Sequence, residues 1–158
     1  MKTANYFLLL STILIIIPNI VNSDMQIEPE KKKTGGECIY EKYPGVATIE
    51  EIKKTNESAG QVDIEGGPGY EGYEVWFSFK PKCRIDEDWA AKQVKERKYL
   101  FQLINSWYPG PEYLKKYGIK EGKKFDSTLK VITKGTCTPI IFEFAKVKQD
   151  DYFESKAE

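Results

Sequence analysis

Tyr73-Glu74-Val75-Trp76-Phe77-Ser78-Phe79-Lys80-Pro81 is the stretch that decides how this chain folds. Tyr73, Val75, Phe77 and Phe79 share one face of an extended segment, and Glu74, Trp76, Ser78 and Lys80 share the other. The first set is the expected core face. Each such side chain contributes roughly 1.5–3 kcal/mol when fully buried. Pro81 lacks the N–H that a continuing ladder needs, so the strand ends there.

Immediately upstream, Gly67-Pro68-Gly69-Tyr70-Glu71-Gly72 has the spacing of a dinucleotide-binding loop. Such a loop must run into a helix whose N-terminus meets the pyrophosphate. Here it runs into a strand, and Pro68 removes a donor, so the segment is read as a β–β connection and no cofactor is expected. Further back, residues 61–65 alternate and predict a strand returning antiparallel to an extended segment over 39–52. Thr55 to Gly60 is the turn between them, and Pro44-Gly45 is a bend in the first strand.

Downstream, Asp86-Glu87-Asp88 opens the only long helix expected, because acidic groups suit the positive end of the helix dipole. Trp89, Ala90, Val94, Phe101 and Ile104 follow helical spacing, and the helix stops before Pro109-Gly110. A short helix over 111–117 follows. Pro111 suits its first position, Gly118 a left-handed C-cap, and Ile119 can fold back onto it. Two strands close the domain. In residues 125–132, Phe125, Ser127, Leu129 and Val131 share a face. In residues 136–144, Pro139 marks an edge, a bulge or a strand start, and Ile140, Phe142 and Phe144 share a face.

The order is thus β-β-β-α-α-β-β: mainly β with helices, a small mixed β-barrel or sandwich. Its nearest layout is the oligonucleotide/oligosaccharide-binding (OB-like) barrel, with five strands and a helix between the third and fourth.

The ends set the domain limits. Lys2, the apolar run from Tyr6 to Ile17, Pro18 and Val21-Asn22-Ser23 form the three-part pattern of a cleavable signal peptide over 1–23. The run is too short for an ordinary membrane span, and stable membrane insertion after cleavage is not expected. Residues 24–37, with Lys31-Lys32-Lys33, read as a flexible arm, 38–145 as a single β-rich domain and 146–158 as a charged tail, frayed or lightly docked. The expected location is therefore exported, periplasmic or secreted.

Without the signal, 23 basic residues face 24 acidic ones, so no broad field draws nucleic acid or an anionic membrane surface. There is no histidine. This removes Ser-His-Asp and Cys-His nucleophile activation and every histidine-containing metal site. Neither a catalytic nor a metal-ligating set is expected. In an oxidising compartment the three cysteines predict one disulfide, assigned to Cys83–Cys137 because both lie in ordered segments while Cys38 adjoins the arm.

Three surface features remain. Asp63, Glu65, Glu71 and Glu74 flank the glycine loop, where two carboxylates could face each other as a glycosidase pair does. Trp76, Trp107, Tyr108 and Tyr113 are candidates for a surface that contacts a ligand, with packing as the competing reading. Asn56-Glu57-Ser58 is a formal glycosylation sequon. The reading that ranks first is a small exported binding or inhibitor domain. It would meet a protein or carbohydrate ligand in the envelope or extracellular space. A structural or accessory envelope component ranks second, and a carboxylate-based hydrolase third.

Overall fold

The structure, a computed structural model, describes residues 36–155. The expected signal peptide over 1–23 and most of the expected arm over 24–37 lie outside the described residues. The elements run β1 (Ile39–Lys53), α1 (Asn56–Gly60), a 3-10 turn (Gln61–Asp63), β2 (Glu74–Pro81), α2 (Asp88–Glu96), β3 (Tyr99–Phe101), α3 (Pro111–Tyr117), β4 (Lys124–Lys134) and β5 (Ile140–Phe144). The five strands form one antiparallel sheet in the order β3-β2-β1-β4-β5, curled into a half-barrel, with three short helices among the described residues.

The faces follow the alternation in the sequence. Val75, Phe77 and Phe79 of β2 are buried, as are Phe125, Ser127, Leu129 and Val131 of β4. The long central strand β1 pairs with β2 on one side and β4 on the other. Two irregularities allow it to curl. A bulge at Glu50 breaks the register with β2 between Ile49 and Glu51. At Gly45 the Phe79 ring lies where a side chain would be: a Cβ there would sit 2.2 Å from Phe79 Cζ and 2.6 Å from the Lys80 carbonyl oxygen.

The curl brings the two edge strands together. No ladder joins β3 to β5 among the described residues. Side chains bridge the gap instead: Tyr99 meets Phe142 with ring centroids 4.5 Å apart, and Phe101 meets Phe144 edge-on at 5.2 Å. Phe77 completes the contact with edge-on approaches to both β5 rings. Such aromatic pairs each add about 0.5–1.5 kcal/mol beyond the area they bury.

Three expectations need correction. Residues 61–65 are not a strand. Thr55 caps α1 in a reciprocal box with Ser58, and the Gln61 side chain is buried, bonding both the N–H and the C=O of Tyr108. Val62 and Ile64 are exposed, so their alternation has no core to face. The long helix ends at Glu96. Tyr99-Leu100-Phe101 form β3 against Phe77-Trp76-Val75, and Ile104, read as part of the helical stripe, is 72% exposed. Finally, the disulfide joins Cys38 to Cys137, not Cys83 to Cys137, and Cys83 is free and exposed. The β1–β4 register is the reason: Ile39 lies opposite Lys134, which places Cys38 beside the turn that carries Cys137.

The short helix α3 matches its expected limits. Gly118 is left-handed at φ 59°, and the Ile119 N–H returns to the Leu114 carbonyl at 2.8 Å. The tail docks on this helix. The Glu154 carboxylate accepts from the N–H groups of Glu112 and Tyr113, and Asp151 accepts from Lys116 and the Tyr117 hydroxyl.

Candidate binding groove beside strand β2

β2 is longer than its outer neighbour. β3 covers only Val75 to Phe77, which leaves Ser78 to Pro81 with an open side. The Lys82 N–H bonds to the Pro44 carbonyl, and by antiparallel alternation Phe79 then turns its N–H and C=O away from β1, toward that open side. Neither group has a backbone partner there among the described residues. α2 lies alongside instead of a strand.

The loop before α2 is fixed by Tyr43. Its hydroxyl donates to Glu87 at 2.7 Å and accepts from the Asp86 N–H at 3.2 Å. Burial, reinforced by Glu87, pushes the Tyr43 phenol up and keeps it protonated. Ile85 is buried beside this anchor, and Ala90 and Val94 pack into the same cluster as Phe79, Leu129 and Val131.

Between α2 and the open side of β2 lies a groove of about 530 Å³. Phe79, Ile85, Ala91 and Val94 supply apolar lining, and Lys80, Arg84, Lys95 and Arg97 supply positive charge, with Asp88 the single acid. None of the four cations makes an ion pair among the described residues. A depression of about 570 Å³ on the solvent side of β1, β4 and β5 differs in character. Its charges are already matched, Lys82 to Asp126 at 2.9 Å and Glu143 to Lys130.

The four aromatic candidates do not form one platform. Trp76 is half-buried, its indole N–H donates to Glu74 at 2.9 Å, and Lys53 stands 5.8 Å from its ring. Trp107 is half-buried against the ring of Tyr152. Tyr108 is buried with its hydroxyl on Glu57, and burial followed by Glu57 pushes its phenol up to about 12. Tyr113 is 1% exposed, a core residue whose hydroxyl donates to the Lys148 carbonyl. The structure therefore removes Tyr108 and Tyr113 from any contact surface.

The carboxylates beside the glycine loop have other employment. Glu71 pairs with Lys54 at 2.6 Å. Glu74 accepts from Trp76 and Thr55, which with Lys53 hold it below the usual carboxylate range, the direction opposite to that of a general acid. Asp63 and Glu65 are exposed. Among the described residues no group of three or more Cys, Asp or Glu could hold a metal ion. In the sequon, Ser58 is fully buried in the α1 cap.

The groove was not anticipated. Phe79 and Val94 were legible as apolar positions. Their convergence depends on how α2 docks beside β2, which no local pattern encodes. Compared with known proteins, the chain matches no family model, and no curated protein and no solved structure matches it. Among the described residues no helix is long and apolar enough to cross a membrane.

Proposed function

We propose that this protein is a small exported binding domain and that the groove between β2 and α2 is its contact site. The observation that carries the reading is the lining itself, a groove floored by the largely buried Phe79, Ile85 and Val94 with half-buried Ala91, and bordered by four cations that have no ion pair among the described residues. The groove falls within the ~300–1,000 Å³ range of small-molecule sites, which are mostly apolar with a few polar groups that orient the ligand. Export is supported by the amino-terminal pattern and by a disulfide, a bond that persists in oxidising compartments.

The test uses a neutral apolar reporter, N-phenyl-1-naphthylamine, titrated into the purified disulfide-bonded protein. Saturable fluorescence enhancement is expected, and Ala91→Trp, which fills the groove from α2, should abolish it while circular dichroism stays native. Undiminished enhancement in a folded Ala91→Trp protein would remove the groove as the site.

A further inference from the structure

We infer that the groove takes a single-chain amphiphile with an anionic head, such as an acyl-chain carboxylate. This rests on the groove being the binding site and goes on to name its ligand class.

Charge decides the head group. The chain has as many acidic as basic residues, yet the groove has four cations against one carboxylate. Some lysines elsewhere find acids, such as Lys54 with Glu71, Lys82 with Asp126 and Lys116 with Asp151, and others, such as Lys92, Lys98 and Lys120, do not among the described residues. What marks the groove is the convergence of four cations on one apolar lining. Around the groove, Lys80, Arg84, Lys95 and Arg97 find none among the described residues. Cations left unpaired beside apolar surface favour a ligand that is negative at one end and greasy along its length. The same charge argues against a second copy, since two grooves face to face would oppose their cations.

Size and backbone decide the body. A stable protein interface takes about 800 Å² from each partner, more than a groove bounded by one nine-residue helix and half a strand is built to give. An extended peptide would add to the open side of β2 through repeated main-chain bonds. Only Phe79 offers an N–H there, and Pro81, the next outward-facing position, has none to give. One free donor suits a carboxylate oxygen better than a strand.

The experiment compares dodecanoate, dodecanol and dodecyltrimethylammonium by calorimetry below their micelle concentrations. Exposed Cys83, on the groove wall, supplies a second readout through its rate of alkylation by a maleimide. Dodecanoate should bind about tenfold or more tighter than dodecanol, the cationic chain should bind weakest, and dodecanoate should slow alkylation of Cys83. Charge reversal at the solvent-exposed positions, Lys95→Glu with Arg97→Glu, should erase the preference for dodecanoate over dodecanol while circular dichroism stays native. Equal affinity for all three chains would overturn the anionic assignment and leave the groove standing. Loss of both chain binding and naphthylamine enhancement would overturn the groove as well. Capture by acidic phospholipid vesicles without binding of monomeric dodecanoate would replace the amphiphile with a membrane surface.

Discussion

Gly45 and Phe79 illustrate how much of the sheet's shape rests on a single pair. Pro44-Gly45 was legible as a bend, but its function was not. The missing side chain at Gly45 is the space that the Phe79 ring occupies. Gly45→Ala should therefore destabilise the domain by about 1–3 kcal/mol, the usual cost of overpacking. Urea midpoints check this. The cost should shrink in a Phe79→Leu background, because the smaller side chain relieves the clash. A change within about 0.5 kcal/mol, typical of a neutral surface position, would count against the contact. The cysteines show the opposite limit. Three thiols allow three single bonds, and choosing among them by apparent local order selected the wrong one. The information lay in the pairing of β1 with β4, a relation between residues almost a hundred positions apart.

Elements were legible where their signals are local. α3 begins at Pro111 and ends at Gly118 because both residues carry their conformational preference with them. β3 was not legible, because three residues of a strand become one only when Val75 to Phe77 lie alongside. The docking of the tail onto α3 belongs to the same class, since it depends on Asp151 and Glu154 reaching a helix more than thirty positions earlier. Lys116, then the Tyr117 hydroxyl, hold Asp151 below the usual carboxylate range. A carboxylate lowered on folding supports the native state above the pKa of the unfolded chain, and that support disappears as pH falls through the folded value. Asp151→Asn should thus lower stability at neutral pH and flatten its decline between about pH 5 and about pH 2. Urea melts at several pH values provide the comparison, and parallel curves for the two proteins would show the ion pair to be idle. Burial, reinforced by Asp151, pushes the Tyr117 phenol up to about 12, so its share of stability is intact below about pH 10 and fades as pH climbs toward that value.

At the scale of the whole molecule, the class of fold was readable from the number of strands, although one of the five came from a different part of the chain than expected. Edge strands that meet through Tyr99, Phe101, Phe142 and Phe144 turn an open sheet into a half-barrel with a shared aromatic seam. The disulfide acts on this whole. Its ends are 99 positions apart, and a loop of that size restricts the unfolded chain by roughly 4–5 kcal/mol in the entropy model. Replacing both Cys38 and Cys137 by serine should cost about 2–5 kcal/mol, and Cys83→Ser should leave the unfolding midpoint unchanged. Non-reducing peptide maps joined to denaturation curves address both statements together. A crosslinked peptide containing Cys83 would refute the pairing.

The Cys38–Cys137 bond also makes a covalent ring of nearly everything that packs, from the first strand to the approach to the last. A protease that nicks one exposed loop inside this ring releases nothing. Both flanks of the cut remain tethered through sulfur and in place to re-dock. Severing the domain takes two cuts or a reductant, a form of durability suited to surroundings where digestion is common and repair is absent.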